Sequence, residues 1–276
     1  MSGNEAVVKF KEVSFEWQTN KPILQEASFT VRRNSKITLM GQNGAGKSTI
    51  FQLITGQATP DAGLVSINQD LTIAIAKQVI PREDLDLTIT EFFAKCFSEK
   101  IYDIDKRIDN VLAITNLTSP HNRIIKNLSG GQQARLLLSA ALIQNPDLLL
   151  LDEPTNNLDK AGIAHLTQFI IDYPKTCIVI SHDANFLNTF TQGVLYLDIF
   201  SKKIEQYSGD YFSVAQEIKQ RLERERMTNV RLERDIAHRK EQANFFAQKG
   251  GHLRDAASNM RKEIAKLEGE IVDLRR

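Results

Sequence analysis

The chain has 276 residues, of which 42% are hydrophobic and 25% charged, and its formal net charge is +1. This composition is typical of a soluble globular protein and argues against a disordered chain. No apolar stretch reaches the roughly 20 residues that a membrane-spanning helix needs, and residues 1–11 lack the apolar run of a secretory signal. The sequence therefore predicts a cytoplasmic protein without a membrane segment. Cys96 and Cys177 are expected to be reduced core residues rather than a disulfide or a zinc site.

Charge and proline divide the chain into two regions. All seven prolines lie at or before Pro174. Residues 213–276 contain none and carry 15 Lys and Arg residues against 11 Asp and Glu residues, a net charge of +4, which leaves −3 for residues 1–212. This split predicts a compact domain over residues 1–212 and a charged helical extension over residues 213–276.

In the first region, short apolar runs alternate with helical patterns, which predicts an α/β fold. Strands are predicted at 7–10, 13–17, 27–31, 36–40, 64–68, 71–76, 148–151 and 176–180, followed by a closing hairpin of 194–198 and 203–207. Helices are predicted from Lys47 to Gly56 and at 103–115 and 133–144. The runs at 148–151 and 176–180 are continuously apolar, as buried parallel strands tend to be.

Residues 41–48 form a phosphate-binding pattern. They read GQNGAGKS, which matches G-x-x-x-x-G-K-[ST], and they lie between a predicted strand and a predicted helix. Backbone N–H groups and the positive helix end would converge there on phosphates. Lys47 is expected to reach the β and γ phosphates and the Ser48 hydroxyl to ligate Mg²⁺; a glycine-rich structural turn is the alternative. The predicted nucleotide contacts in this segment are Gly41, Asn43, Gly44, Ala45, Gly46, Lys47, Ser48 and Thr49.

A pair of carboxylates follows the apolar strand at 148–151. Asp152 and Glu153 would lie at the carboxyl edge of the sheet, where ligands of open α/β sheets bind. Asp152 is predicted to hold Mg²⁺, and Glu153 to orient or deprotonate the water that attacks the γ-phosphate. The alternative is a leucine-rich strand that happens to end in two acids.

A second small-residue segment precedes the helix at 133–144. Its sequence, Leu128 to Gln132, reads LSGGQ, and Ser129, Gly130, Gly131 and Gln132 are predicted to contact phosphate. One phosphate loop needs only one such site. A second site far away in sequence suggests a phosphate shared between two surfaces.

Together these motifs, with Ser181-His182-Asp183 after the next strand, resemble the nucleotide-binding domain of the ATP-binding cassette superfamily over residues 7 to about 210. The resemblance implies a P-loop NTPase fold, ATP as ligand and Mg²⁺ as cofactor. It also implies that Gln78 contacts Mg²⁺ and the attacking water, that Asp159 is the aspartate of the loop after the carboxylate pair, and that His182 senses the γ-phosphate. Trp17 resembles the aromatic on which adenine stacks, with a core tryptophan as the alternative.

Within the superfamily, residues 152–159, DEPTNNLD, and the later 207–211, YSGDY, before a charged helix resemble the F subfamily. Asn157 stands where that pattern usually has histidine. Members of this subfamily act on ribosomes, so the resemblance implies contact with rRNA and the P-site tRNA through a helical hairpin. It also implies a site shared with a second cassette, in the full-length chain or in a head-to-tail homodimer.

The pattern of residues 213–276 predicts an antiparallel helical hairpin. Apolar residues fall on heptad spacing in both halves, and Gly250-Gly251 interrupts the run. These apolar residues are Ile218, Leu222, Leu232, Ile236, Met260, Ile264, Leu267, Ile271 and Leu274. The second helix would be shorter than the first and ends within a heptad, so we expect a longer second helix and a second cassette beyond residue 276.

Positive charge at the predicted tip of the hairpin fits contact with RNA phosphates. By itself such a charge run is more often a solvated helix face, and it is the resemblance to the cassette that favours RNA contact. The basic residues are Lys249, Arg254, Arg261 and Lys262. We therefore expect an ATPase that serves as a translation factor or a ribosome-protection factor. The alternatives are the ATP-binding subunit of a membrane transporter, which the projecting charged hairpin disfavours, and a scaffold that binds ATP without turnover, which the complete set of catalytic residues disfavours.

Overall fold

The structure is a computed structural model. It describes residues 5–18, 21–68, 70–76, 79–97, 99, 101–249 and 252–270. The chain divides into two compact units, Met1–Val214 and Ala215–Arg276. Within the described ranges, every helix is either too short or too polar to traverse a lipid bilayer.

The predicted strands and helices appear in the predicted order, and three helices that were not predicted, at 89–94, 160–172 and 184–188, lie among them. The strands are β1 (Ala6–Glu16), β2 (Pro22–Arg32), β3 (Lys36–Gly41), β4 (Ala62–Ile67), β5 (Ile73–Ala76), β6 (Leu148–Asp152), β7 (Thr176–Ile180), β8 (Gly193–Leu197) and β9 (Ile204–Ser208). The helices are α1 (Lys47–Ile54), α2 (Ile89–Ala94), α3 (Ile104–Ile114), α4 (Gly130–Leu142), α5 (Lys160–Asp172), α6 (Ala184–Asn188), α7 (Tyr211–Lys249) and α8 (His252–Glu270).

The first unit contains two sheets. A three-stranded antiparallel sheet has the order β2-β1-β4, and a six-stranded sheet has the order β5-β6-β7-β3-β8-β9. Strands β5, β6, β7, β3 and β8 pair in parallel, and β9 closes the sheet antiparallel to β8. The parallel strands and the closing hairpin agree with the sequence prediction.

Strand β2 begins at Pro22, five residues before the start predicted at 27, and two further differences from the prediction have local reasons. The runs predicted as separate strands at 7–10 and 13–17 form the single strand β1, in which an irregularity at Glu12, with φ +51°, shifts the register. Helix α4 begins at Gly130, three residues before the predicted start. Ser129 caps it, because its hydroxyl accepts a bond from the Gln132 amide and the Gln132 side chain accepts one from the Ser129 amide.

The six-stranded sheet has core on both faces, and its strand residues alternate between them. In β6, Leu149 and Leu151 point into a cluster with α2 to α6, whereas Leu148 and Leu150 point into a cluster with α1 and the three-stranded sheet. Both cysteines are free thiols. Cys177 is fully buried and Cys96 partly buried, and burial raises the pKa of Cys177 to about 12.

The second unit contains most of α7 and all of α8. Ile236 and Ala243 of α7 form one buried cluster with Ile264 of α8, and Nη1 of Arg239 lies 2.7 Å from Oε2 of Glu263. Met260 and Leu267 pack against this cluster. Ile271 and Leu274 of the predicted heptad pattern lie outside the described residues.

Candidate nucleotide-binding site

The phosphate loop connects the carboxyl end of β3 to the first turn of α1. Gly46 caps α1 with φ +107°, and a Cβ there would lie 2.2 Å from Cγ2 of Ile23, so the loop requires glycine at this position. Gly44 also has a positive φ, but a Cβ there would have open space around it. Ala45 is buried beneath the loop. The structure thus brings the predicted phosphate contacts together on one loop at the N-terminus of a helix, where backbone N–H groups can bind an anion.

Lys47 folds back over this loop. Its Nζ donates to the carbonyl O of Gly41 at 2.8 Å and of Gln42 at 3.2 Å. Burial lowers the pKa of Lys47, while the charges of Glu153 and Asp152 act in the opposite direction. The ammonium group therefore lies within the field of both carboxylates, at the mouth of the loop.

Ser48 and Asp152 meet although 104 positions separate them in the sequence. The Ser48 hydroxyl donates to Oδ2 of Asp152 at 2.8 Å. Both groups were predicted to bind Mg²⁺. Their contact places a hydroxyl oxygen and a carboxylate oxygen next to each other beside the phosphate loop. Hard oxygen ligands of this kind suit Mg²⁺, which completes its octahedron with phosphate oxygens and water. Among the described residues there is no cluster of three or more His, Cys, Asp or Glu side chains that could hold a metal ion. The pair itself supplies two oxygen ligands.

Glu153 is held in place by the segment that follows β7. Its Oε1 lies 3.1 Å from Nε2 of His182, and the His182 backbone N–H donates to Oε2 at 3.3 Å. The Glu153 amide donates to the carbonyl O of Ile180 at 2.8 Å. Glu153 adopts φ +51°, a left-handed conformation that costs a glutamate of order 1 kcal/mol and persists because these bonds fix it.

Other residues fix the segment that carries His182, a role that was not predicted for them from the sequence. The Thr155 and Ser181 hydroxyls lie 3.0 Å apart. Asp183 caps α6 by accepting a bond from the Phe186 amide at 3.0 Å. The signal for Asp183 was available, since an aspartate directly before a helix is a common cap.

Trp17 lies beside the first turn of α1. Its indole N–H donates to the Thr49 hydroxyl at 3.3 Å, and its ring meets the edge of Phe15 with centroids 4.9 Å apart. The side chain is 56% exposed, so the alternative of a core tryptophan does not describe this residue. An exposed aromatic face next to the phosphate loop is available for stacking.

The remaining predicted residues lie apart from the phosphate loop or outside the described residues. Ser129 and Gln132 form the capping box of α4, and a Cβ at Gly130 or Gly131 would meet nothing within 4 Å, so this segment is open. Asp159 caps α5, where the Gly162 amide and the Asn116 side chain donate to its carboxylate and lower its pKa. Gln78 lies outside the described residues.

A cavity of about 250 Å³ lies between the carboxylate pair and α4. The residues that line it are Ala76, Ala134, Arg135, Leu138, Asp152, Glu153, Pro154, Asn156, Asn157 and Leu158.

The family described as ABC transporter matches residues 24–156, which include the phosphate loop and the carboxylate pair. The chain belongs to the ATP-binding cassette superfamily. The predicted α/β P-loop fold with a helical extension is confirmed by the structure and by its likeness to the solved cassettes described below.

Curated relatives point to the F type of cassette. The putative ATP-binding protein YdiF of Bacillus subtilis is 33% identical over 234 residues, which cover 82% of this chain and 34% of that protein. The ATP-binding protein Uup of Haemophilus influenzae is 34% identical, covering 76% of this chain and 33% of its own length. The ATP-binding cassette sub-family F member 2 of Bos taurus is 31% identical, and the match covers 78% of this chain and 34% of that protein. The chain thus spans about a third of the length of these relatives.

Solved structures share the fold of the cassette. A dimeric, post-hydrolysis structure of the ATP-binding cassette MJ0796 with ADP and Pi has a TM-score of 0.61 and 25% identity, covering 73% of this chain and 98% of that one. The structure of cbiO1 from Clostridium perfringens, part of the cbiONQ transporter complex, has a TM-score of 0.62 and 24% identity. The match covers 84% of this chain and 97% of that one. The second likeness concerns the fold alone.

Proposed function

We propose that this cassette binds ATP with Mg²⁺ and hydrolyses it, and that it does so as an F-type protein acting on the ribosome. The observation that carries the ATPase proposal is the hydrogen bond between Ser48 and Asp152 beside the phosphate loop. Asp152 directly precedes Glu153 in the sequence. Membership of the superfamily supports ATP binding and ATPase activity in general.

The phosphates would occupy the loop between β3 and α1. Backbone N–H groups of Gly44 to Ser48 and the N-terminal end of α1 would bind the phosphate oxygens, with Asn43 and Thr49 beside them. Lys47 would exchange its two carbonyl partners for the β and γ phosphates. The exposed face of Trp17 would stack on adenine.

Ser48 and Asp152, together with Gln78, would hold Mg²⁺. When bound, the cation neutralises charge on the phosphates as the transferred group leaves. The Ser48 hydroxyl oxygen and Oδ2 of Asp152 lie 2.8 Å apart, and binding of Mg²⁺ would replace the hydrogen bond between them.

Glu153 would orient the attacking water and accept its proton. The bonds from the His182 ring and amide hold the carboxylate at the end of β6, where water and the γ-phosphate would meet. His182 is 61% exposed, so it can turn from Glu153 towards the γ-phosphate once ATP is present.

Each ATP would lie between the phosphate loop of one cassette and the Ser129 to Gln132 segment of another, with Asp159 near the contact. The open surface at Gly130 and Gly131 supports this arrangement. The MJ0796 cassette, which shares the fold, is dimeric in its post-hydrolysis state with ADP and Pi.

The test of a shared site is the ATPase rate per chain as the chain concentration rises. We expect the rate to rise with concentration, because two copies must meet head to tail, and to plateau once dimers form. Ser129→Ala should lower the plateau but not the affinity for ATP. A rate per chain that is independent of concentration, with a strict monomer in sedimentation, would contradict the shared site.

The ribosome is proposed as the partner of the hairpin. Two observations support it: the relatives of the F type, and the exposed basic side chains of Arg261 and Lys262 on α8. The side chains of Lys249 and Arg254, the other predicted contacts, lie outside the described residues. Basic side chains bind RNA by releasing counterions, so binding should weaken as salt rises.

The experiment is co-sedimentation with ribosomes in ATP, using Glu153→Gln to prevent turnover, across a salt series. Replacing Lys249, Arg254, Arg261 and Lys262 with alanine should weaken binding and flatten its salt dependence. The matched control replaces Arg224, Arg226, Arg231 and Arg234, which removes equal charge from α7 and should change binding less. If the protein stays in the supernatant at low salt, or co-purifies with a membrane permease, the transporter alternative replaces this proposal.

A further inference from the structure

Arg135 of α4 bonds to two segments of the cassette through one guanidinium group. Its Nε donates to the carbonyl O of Asn157 at 3.1 Å, and its Nη1 donates to the carbonyl O of Asn116 at 2.9 Å. Its Nη2 lies 3.9 Å from Oδ2 of Asp159. Asn116 and Asn157 are 19 and 22 positions away in sequence, so this side chain joins elements that the local backbone does not.

Asn157 belongs to a tightly turned connection that begins at Glu153. The Asn156 amide donates to the Glu153 carbonyl O at 3.3 Å, and the Leu158 amide donates to the Thr155 carbonyl O at 3.2 Å. Two successive turns leave little slack between Glu153 and Asn157. A displacement of Asn157 would therefore act on the backbone at Glu153.

On its other side, Arg135 is fixed to the Ser129 end of α4. Six positions separate Ser129 from Arg135, which corresponds to about 9 Å along a helix. The capping box holds the first turn of this helix, so Ser129 and Arg135 move together. One side chain thus connects the segment offered to a second cassette with the loop that carries Glu153.

Packing alone does not fix this loop against α4. The cavity of about 250 Å³ lies where Ala134 and Leu138 of α4 face Glu153 and Asn157. Because this cavity separates part of the loop from α4, the loop has room to shift. The hydrogen bond from Arg135 to Asn157 ties this end of the loop to α4.

We infer that Arg135 is a positioning residue that sets the place of Glu153 according to the position of α4. This inference rests on the proposed function. When a second cassette's ATP draws the Ser129 segment into place, Arg135 carries that movement to the loop after Glu153, so turnover in the two sites is linked. A planar guanidinium can hold two carbonyl groups in fixed directions, whereas a lysine ammonium at the end of a flexible stem cannot.

The test compares Arg135→Lys and Arg135→Ala with Arg107→Ala in the full chain. Arg107 is a matched control, since it is an exposed arginine that pairs with Asp103 at its own helix start at 3.1 Å. Arg135→Lys should keep the thermal midpoint within about 3 °C and the ATP Kd within about twofold. Its kcat should fall by about tenfold to 100-fold, because a catalytic group misplaced by about 1 Å costs that much. Arg107→Ala should match wild type, and Arg135→Ala should lose at least as much kcat as the lysine variant.

A second readout does not depend on turnover. Hydrogen exchange at the amides of Asn156 and Leu158 should be at least about fivefold faster in Arg135→Lys than in wild type or Arg107→Ala. Unchanged exchange there overturns the inference, as does a kcat loss matched by an equal loss of ATP affinity. A wild-type chain without any ATP turnover overturns the proposed function instead, and the exchange result then decides the inference by itself.

Discussion

The imidazole Nε2 of His182 lies 3.1 Å from Oε1 of Glu153, and the backbone N–H of the same histidine reaches the other carboxylate oxygen at 3.3 Å. One residue thus contacts each oxygen of the predicted catalytic carboxylate. The amide contact is independent of the side chain. Substitution at position 182 therefore separates the role of the imidazole from the placement of the loop.

We predict that His182→Ala lowers kcat by about 100-fold while the ATP Kd changes by less than about twofold. The amide still holds Glu153, but the ring no longer orients it or contacts the γ-phosphate. The measurement is steady-state ATPase activity with a separate ATP titration. His165→Ala is the control, because His165 is exposed and its Nδ1 lies 3.3 Å from the Ala113 carbonyl O, away from the carboxylate pair. Equal losses in the two variants would exclude a special role for His182.

The pH dependence of ATP affinity should follow the charge of Lys47. Burial lowers the pKa of this lysine from the ordinary 10.5. Only the protonated ammonium attracts phosphate. The affinity for ATP should therefore be constant well below the lowered pKa of Lys47 and should fall as the pH rises through it. This fall should come at a lower pH than it would for an exposed lysine. Glu153→Gln removes a charge that raises the pKa, and should move the fall to still lower pH. The ATP Kd can be followed through Trp17 fluorescence from neutral to alkaline pH.

Lys47→Arg is the control for this pH profile. A guanidinium stays charged throughout the range, so any remaining affinity should no longer fall at alkaline pH. An unchanged profile in this variant would show that another group titrates.

The stability of the packing between α7 and α8 should depend on the buried cluster around Ile264. This side chain is 5% exposed and packs with Ile236 and Ala243. Ile264→Ala leaves a cavity and should cost about 2–5 kcal/mol, which we expect to appear as faster hydrogen exchange along α7 and α8. Val230→Ala is the control, because Val230 is exposed and its loss should cost less than about 0.5 kcal/mol. Exchange rates that match in the two variants would mean that the cluster does not hold the helices together.

Sequence spacing predicts the parts of this protein that depend on local pattern. The glycine positions of the phosphate loop, the buried strand before Asp152 and the heptad residues Ile236 and Ile264 are of this kind. Ala243 was missed in the second unit, because a search for large apolar residues passes over a small one that lets two helices approach.

Arg135 shows why the remainder of the site could not be predicted. Its hydrogen-bond partners are backbone carbonyl groups, which every residue carries, so no residue type marks them in a sequence. The hydrogen bond between Ser48 and Asp152 could be predicted only in part. Each residue was assigned to Mg²⁺ by its motif, but the contact depends on the packing of α1 against the sheet.

The central claim is that Glu153 drives hydrolysis of an ATP that Lys47 binds, and the most direct test measures ATP binding and turnover in Glu153→Gln and Lys47→Ala. Glu153→Gln should bind ATP with wild-type affinity, within about twofold, while its turnover falls by at least about 100-fold. Lys47→Ala should weaken ATP binding itself by about tenfold or more. Wild-type turnover in Glu153→Gln, or an equal loss of ATP binding in both variants, would contradict the account.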